Sequence, residues 1–431
     1  MDFKVRPFKY LRGIVRVPGD KSISHRAVML GALASGDTFI ENFLTGEDCL
    51  STLRCFSELG VKFTGPTEEG ELIIHGRGPD ALQEPANVLD AANSGTTMRL
   101  LTGILAGLPL FSVLSGDQSL RRRPMRRITE PLKEMGANIW GRQGGEYAPL
   151  AIRGGNLHGI SYTLPVASAQ VKSALLLAGL LARGQTVVTA PVVSRDHTER
   201  MLKYFGAQLE ITGGTISVLG EQELFGRSLK IPGDISSAAF LLVAGTCCPD
   251  SDITITDVGI NPTRTGILDI LNQMGANLEL RNQREVSGEP VADIRVKSSL
   301  LRGAVISGDM LPRLIDEVPV LAIAGAIASG ETVIRDAAEL KVKESNRLAV
   351  LAGELRKFKV DLEEIENGLI IRGGRLLQGA VCSSHGDHRL AMAMAVAGLL
   401  AQGVTVVQDA ECAAISFPGF YNVLNSLGEK G

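Results

Sequence analysis

Residues 18–24 read PGDKSIS, and residues 232–238 read PGDISSA. The second stretch begins 214 residues after the first, a separation close to half the chain length of 431 residues. The match predicts two similar domains joined at these turns. One is residues 21–233, and the other combines residues 1–20 with residues 234–431, so the hinge would lie near 20–21 and 233–234.

One unit recurs along the chain. Each copy has a short strand, a polar turn, an apolar helix and a β-branched strand, followed by a second helix that ends near a small turn and by more strand. Successive copies begin 67 to 77 residues apart, which is too long for solenoid repeats of about 20–50 residues. The pattern therefore predicts α/β units grouped into domains. The copies begin at Leu11, Leu82, Leu157, Leu224, Leu301 and Leu377.

The composition excludes several classes of protein. The formal net charge is −3, which argues against a binder of nucleic acid or of a membrane surface. The six cysteines form no CxxC pair and no repeated spacing, so neither a zinc site nor a disulfide framework is indicated. The longest uncharged stretch, residues 390–408, contains a turn and predicts a buried helix and strand, not a membrane span. We therefore expect a cytoplasmic protein.

Polar residues gather at two places in the copies, the turn before the first helix and the turn before the second. Helix N-termini carry unsatisfied N–H groups and about half a positive charge, which favour phosphate and carboxylate. If the equivalent positions face one cleft, the pattern predicts a site for small anions. The first set includes Lys21, Ser22, Arg26, Asn93–Thr96, Ser168, Gln170, Asp316, Glu317 and Asp387–Arg389; the second includes Arg121–Arg123, Ser194, Arg195, Thr263, Arg264 and Lys343–Arg347.

Each group also has a plain structural interpretation. Lys21 alone is typical of a solvated turn lysine, but Arg26 follows five residues later in the same predicted helix, and this second cation favours an anion site. The basic run LRRRPMRR at 120–127 could be a nucleic-acid patch or a solvated face. It has no interleaved aromatic residues to stack on bases, and a small multianionic ligand suits it better. Asp316 with Glu317 is also typical of a helix N-cap.

Seven motifs in order resemble the 5-enolpyruvylshikimate-3-phosphate synthase family over essentially the full chain. The forms GDKSIS, SAQVK, RDHTE (195–199) and NPTR (261–264) are similar to the class II branch, which includes glyphosate-tolerant members. The seven motifs are GDKSISHRA (19–27), NSGTTMRLL (93–101), RRRPM (121–125), SAQVKSALLLAGL (168–180), LIDEVPVLA (314–322), KVKESNRL (341–348) and GDHRLAMA (386–393).

The resemblance implies a fold and a reaction. The fold is α/β, with two similar domains of three βαβαββ units each, like inside-out barrels, closing about a hinge on substrate. The reaction transfers the enolpyruvyl group of phosphoenolpyruvate to the 5-hydroxyl of shikimate 3-phosphate and releases phosphate, a step of aromatic amino-acid biosynthesis. No metal or organic cofactor is implied. The partners would be these two small molecules, and a monomer is the default expectation.

The resemblance also implies roles for individual residues. The domain 21–233 would mainly hold shikimate 3-phosphate, and the other domain would hold the base and phosphoenolpyruvate arginines. The implied shikimate 3-phosphate contacts are Lys21, Ser22, Arg26, Ser168, Gln170, Ser194, Asp316 and Lys343. The implied phosphoenolpyruvate contacts are Lys21, Gly95, Arg123, Gln170, Arg347 and Arg389. The implied catalytic residues are Asp316 as proton acceptor and Glu344 or Lys21 as the acid.

The charges of the substrates suit these residues. Together the two substrates carry about −5 to −6 near neutral pH, and guanidinium groups bind carboxylate and phosphate in bidentate pairs. We therefore expect near-balance with six cations, namely Lys21, Arg26, Arg123, Lys343, Arg347 and Arg389.

The chain departs from the family pattern at one place. Some members have Lys before the final Ser/Thr-Phe-Pro, whereas this chain has Ile415 before Ser416. A phosphoenolpyruvate contact is therefore missing or supplied elsewhere. Gly95 is retained where many tolerant members carry Ala.

Two alternatives stay open. The related UDP-N-acetylglucosamine enolpyruvyl transferase usually has a reactive Cys in the loop before its Arg-Pro pair, and residues 115–127 contain none. A non-catalytic phospholigand-binding protein would keep the cations but need no acid and base, which Asp316 and Glu344 argue against.

Overall fold

The computed structural model describes residues 1–430, which divide into two compact units. Unit 1 comprises residues 1–18, 232–285 and 290–430, and unit 2 comprises residues 19–231 and 286–289. The chain therefore passes from one unit to the other beside each Pro-Gly-Asp turn. Each unit has its own apolar core. Closure about a hinge stays a prediction.

The elements follow in chain order. The α-helices are α1 (Lys21–Leu33), α2 (Glu47–Glu58), α3 (Gly95–Gly107), α4 (Arg126–Glu134), α5 (Ala169–Leu180), α6 (His197–Tyr204), α7 (Ile235–Cys247), α8 (Gly266–Gln273), α9 (Leu311–Leu314), α10 (Val318–Ile327), α11 (Arg347–Lys357), α12 (His388–Leu400) and α13 (Phe420–Leu427). The strands are β1 (Phe3–Val5), β2 (Phe8–Arg16), β3 (Ser35–Glu41), β4 (Lys62–Thr64), β5 (Leu72–Arg77), β6 (Leu89–Asp90), β7 (Phe111–Ser115), β8 (Asn138–Arg142), β9 (Tyr147–Arg153), β10 (Ser161–Thr163), β11 (Gln185–Thr189), β12 (Leu209–Thr212), β13 (Thr215–Leu219), β14 (Ser228–Lys230), β15 (Asp252–Gly259), β16 (Asn277–Val286), β17 (Glu289–Lys297), β18 (Val305–Ile306), β19 (Glu331–Ile334), β20 (Asp361–Ile365), β21 (Gly368–Arg372), β22 (Val381–Ser383), β23 (Thr405–Gln408) and β24 (Gly428–Lys430).

Unit 2 is built from three βαβαββ copies, each with a four-stranded sheet. The sheet orders are β14-β3-β5-β4, β6-β7-β9-β8 and β10-β11-β13-β12. In each sheet the leading strand is parallel to its neighbour and the last two strands are antiparallel. The copy that contains α1 takes its leading strand from β14, because the strand that precedes α1 in sequence, β2, belongs to unit 1.

Unit 1 repeats the plan with two differences. One sheet has five strands, in the order β16-β17-β15-β2-β24, with β2 parallel to β15; another has the order β18-β19-β21-β20. The last copy forms a three-stranded sheet, β1-β23-β22, in which the N-terminal strand β1 supplies the antiparallel partner of β23. The mixed architecture confirms the predicted α/β class.

Three helices in each unit are buried almost all round, namely α1, α3 and α5 in unit 2 and α7, α10 and α12 in unit 1. Their later turns are predominantly apolar, as expected for helices inside a core, and their charged residues lie mostly in the first two turns. Small residues allow close packing: a Cβ on Gly103 of α3 would lie 2.3 Å from the carbonyl oxygen of Ala174 in α5. The helix starts are thereby fixed by the core.

The tip of the β16–β17 hairpin, Val286–Glu289, groups with unit 2, although the sequence analysis placed it in the 234–431 domain. Its contacts give the reason. The Ser287 hydroxyl accepts a hydrogen bond from the Lys230 backbone (3.0 Å), and Glu289 lies 2.7 Å from Nδ1 of the buried His197. Within residues 1–430, no helix is long and apolar enough to cross a membrane.

Candidate active site

The central helices of unit 2 begin at side-chain N-caps. Asp20 Oδ1 accepts from Ile23 N (2.9 Å), Ser94 Oγ from Thr97 N (3.1 Å) and Ser168 Oγ from Val171 N (3.4 Å). These caps satisfy one N–H per helix and leave the remaining first-turn groups and the positive helix end to attract anions.

Lys21 and Arg26 lie on the first turns of α1. The Lys21 ammonium is 3.0 Å from Oδ2 of Asp48 in α2. Arg26 is buried and donates to Thr198 Oγ1 (2.6 Å), to Ser173 Oγ (2.8 Å) and to the carbonyl of Ser22 (2.8 Å). These last three acceptors are neutral groups that orient the guanidinium.

Gly95, Arg123 and Gln170 come together where α3 and α5 begin. A Cβ on Gly95 would lie 2.8 Å from Nη1 of Arg99 and 3.3 Å from Nη1 of Arg123. Arg99 donates to Gln170 Oε1 at 2.7 Å. Arg123 donates to Oδ1 and to the carbonyl of Asn93, at 2.6 and 3.2 Å. Two buried guanidiniums thus flank a position that only glycine leaves open.

Ser194 lies in an irregular segment between β11 and α6. Its hydroxyl is buried and has no hydrogen-bond partner within residues 1–430. Its carbonyl accepts from the Lys172 ammonium at 3.3 Å. Ser168 is likewise buried at the start of α5.

Unit 1 holds a buried network of acids and bases around Arg347, which is 1% exposed. Its guanidinium lies 2.7 Å from Asp387, 2.5 Å from Glu344 and 3.4 Å from Asp316. Burial lowers the pKa of a guanidinium, but the Asp387, Glu344 and Asp316 carboxylates outweigh it, so the pKa of Arg347 lies above its ordinary value. The Lys343 ammonium is 3.8 Å from Asp316. The structure therefore brings together Asp316, Lys343, Glu344 and Arg347.

Arg389 differs from Arg347 although both are buried. It is 3% exposed, and its Nε and Nη1 have no hydrogen-bond partner within residues 1–430. Its backbone N–H donates to Asp387, the N-cap of α12, at 2.9 Å. Buried polar groups are nearly always hydrogen-bonded, so this guanidinium is suited to bind an anion. Ile415 is half-buried at the end of a short 3₁₀ helix, Ala410–Ile415.

Sequence reasoning assigned no role to several residues of these clusters. Arg99 follows Gly95 by four positions, so the two residues share a helical face. That spacing was the signal from which a role for Arg99 beside Gly95 could have been predicted. Asp48 had no local signal as the partner of Lys21, and neither did Asp387 as the partner of Arg347. Among residues 1–430, no group of His, Cys, Asp and Glu could hold a metal ion.

Comparison with known proteins decides the family. The family described as EPSP synthase (3-phosphoshikimate 1-carboxyvinyltransferase) matches residues 5–424. The chain belongs to the EPSP synthase family. A 3-phosphoshikimate 1-carboxyvinyltransferase of Pelotomaculum thermopropionicum is 62% identical to it over 425 residues, which are 98% of each chain.

Solved structures agree with the EPSP synthase assignment. The EPSP synthase of Acinetobacter baumannii superposes with a TM-score of 0.89 at 46% identity, covering 99% of this chain and 98% of that one. The enolpyruvyl transferase NikO of Streptomyces tendae shares the fold, with a TM-score of 0.81 at 18% identity, covering 98% and 96%. The predicted family and reaction class are confirmed.

Proposed function

We propose that the polar residues at the helix starts of both units carry out the reaction that defines the EPSP synthase family. As a family member, the chain is an enolpyruvyl transferase. It transfers the enolpyruvyl group of phosphoenolpyruvate to the 5-hydroxyl of shikimate 3-phosphate and releases phosphate. The observation that carries the residue assignment is Arg389, whose buried guanidinium has unmade hydrogen bonds that a substrate anion would complete.

In unit 2, Lys21, Ser22, Arg26, Ser168, Gln170 and Ser194 would bind shikimate 3-phosphate. Arg123 and the space above Gly95 would receive phosphoenolpyruvate, with Lys21 and Gln170 contacting both substrates. The N-capped starts of α1, α3 and α5 support this, because their N–H groups favour phosphate oxygens. Arg99 orients the Gln170 side chain by donating a hydrogen bond to its Oε1 at 2.7 Å.

In unit 1, Arg347 and Arg389 would bind phosphoenolpyruvate, and Lys343 and Asp316 would contact shikimate 3-phosphate. Asp316 would take the proton of the 5-hydroxyl while the hydroxyl oxygen bonds to the enol carbon of phosphoenolpyruvate. Glu344 or Lys21 would deliver a proton to the methylene carbon. In the second step that proton leaves, the double bond re-forms and the C–O bond to phosphate breaks, with the acid and base roles reversed. Arg347 lies 3.4 Å from Asp316 and 2.5 Å from Glu344, so its guanidinium orients both carboxyl groups.

A phosphate-release assay tests the reaction. We expect phosphate from phosphoenolpyruvate with shikimate 3-phosphate as acceptor, and none with UDP-N-acetylglucosamine. Release with the sugar nucleotide would support the rival enolpyruvyl transferase, and binding without release would support a phospholigand-binding protein. We further propose a cytoplasmic monomer that needs no cofactor and binds neither nucleic acid nor membrane. Gel filtration and unchanged turnover after chelator treatment test the oligomeric state and the metal independence.

A further inference from the structure

A buried ion pair in unit 2 has no place in the proposed chemistry. Lys172 lies in α5, and its ammonium is 2.5 Å from Oε1 of Glu199 in α6, with both side chains 3% exposed. Removing two charges from water is costly, and apolar residues of similar volume are often as stable or more so. Stability alone therefore does not explain why this pair is buried.

The Lys172 ammonium has a second acceptor, the Ser194 carbonyl at 3.3 Å. Residues 190–196 form no helix or strand, so their carbonyl groups have no regular ladder to hold them. Lys172 thus links this segment to the rigid, N-capped start of α5. The Ser194 hydroxyl, on the same residue, is buried without a hydrogen-bond partner in the described part of the chain.

The neighbouring pair of residues fixes the same two helices. Ser173 follows Lys172 in α5, Thr198 precedes Glu199 in α6, and their hydroxyls lie 2.6 Å apart. Arg26 donates to both hydroxyls. Two adjacent links therefore hold α6 against α5, but only the Lys172 link reaches the segment that carries Ser194.

We propose that Lys172 is a positioning residue. With Glu199 it fixes the Ser194 carbonyl, and thereby presents the Ser194 hydroxyl to the phosphate of shikimate 3-phosphate. Glu199 holds the Lys172 ammonium in place and balances its charge. The ammonium therefore donates to the Ser194 carbonyl and does not bind the substrate. This inference rests on the proposed function, because it takes shikimate 3-phosphate as the ligand of Ser194.

The test measures shikimate 3-phosphate binding by calorimetry, which needs no turnover, together with both Michaelis constants. The variant Lys172→Met/Glu199→Met removes both charges at similar volume and leaves no buried carboxylate alone. Ser194→Ala removes the hydroxyl, and a triple variant combines the three changes. Leu176→Ala is the matched control, because Leu176 is buried one turn further along α5.

We expect the double variant to weaken shikimate 3-phosphate binding about tenfold or more, as for loss of a hydrogen bond to a charged group, with the Michaelis constant for phosphoenolpyruvate within about twofold. Ser194→Ala should weaken binding similarly, and the triple variant should be no weaker than the double, since coupled residues are not additive. Lys172→Arg, which keeps a buried cation, should restore part of the affinity. Leu176→Ala should lower the melting temperature and leave the affinity unchanged.

Unchanged affinity in the double variant would overturn the proposal, and so would losses that multiply in the triple variant. An equal loss of shikimate 3-phosphate affinity in Leu176→Ala would also overturn the proposal, because the effect would then come from a general loosening of α5. A wild-type chain that binds shikimate 3-phosphate but releases no phosphate would refute the proposed function instead, and the binding comparison would still decide the role of Lys172.

Discussion

Gly95→Ala should weaken phosphoenolpyruvate binding without harming the fold. The added methyl carbon would lie 2.8 Å from Nη1 of Arg99 and 3.3 Å from Nη1 of Arg123. Both neighbours are ends of flexible side chains, so the guanidiniums move and the backbone stays. Ala is also the best helix former, and Gly95 is the first residue of α3.

The size of the effect follows from these distances. A relaxed contact is about 3.5 Å, so Nη1 of Arg99 must retreat by about 0.7 Å. It now donates to Gln170 Oε1 at 2.7 Å, and such a shift brings that bond close to breaking. A hydrogen bond to a charged group contributes about 1.5–3 kcal/mol, which is about ten- to a hundredfold in affinity. We expect the Michaelis constant for phosphoenolpyruvate to rise about tenfold or more.

Steady-state phosphate release, with each substrate varied at saturating levels of the other, measures this. Gly103→Ala is the control on the same helix, because its methyl would lie 2.3 Å from the Ala174 backbone carbonyl and cannot be relieved by a side chain. It should destabilise unit 2 by about 1–3 kcal/mol, with a smaller change in the Michaelis constant. A Gly95→Ala enzyme whose Michaelis constant for phosphoenolpyruvate stays within about twofold of the wild-type value would refute this reasoning.

Three other substitutions test two residues of the site and one buried histidine. Asp316→Asn should lower turnover by about 10² or more with substrate binding within about tenfold, and unchanged turnover would reject Asp316 as the base. Arg123→Ala should raise the Michaelis constant for phosphoenolpyruvate far more than that for shikimate 3-phosphate; equal effects would contradict its placement. Burial, with the charges of Lys21 and Arg26, lowers the pKa of His25 well below 6.5, so below pH 6.5 the unfolded chain binds a proton that the native chain does not. Stability should therefore fall as pH drops from 6.5, by about 1.4 kcal/mol per pH unit; urea unfolding of His25→Gln should show a flatter dependence, and an identical slope would contradict this.

The repeat, the α/β class and the helix starts could be predicted from the sequence because they are local. Alternating apolar and polar runs define the six copies, and a polar turn comes directly before the apolar helix of each copy. The strands that complete the sheets come from distant parts of the chain and are not local. Nothing in β14 indicates that it replaces the strand preceding α1, since that depends on how two distant segments pack.

The partners of the charged residues were harder to predict for the same reason. Lys21 pairs with Asp48 only because α2 packs on α1, and the Lys172 pair requires α6 to lie beside α5. Residue type indicated an anion site, but it did not show which cations are already neutralised.

That distinction changes the charge balance expected from the sequence. Six cations were counted against the two substrates, yet Arg347 is already surrounded by three carboxylates and Lys21 by one. Arg123 and Arg389 have no carboxylate partner within residues 1–430, and their hydrogen-bonding groups are only partly used. We therefore infer that Arg123 and Arg389 provide the main attraction for substrate anions. Arg347 also orients Asp316 and Glu344, and its loss would leave the buried Asp387 carboxylate without its counter-charge.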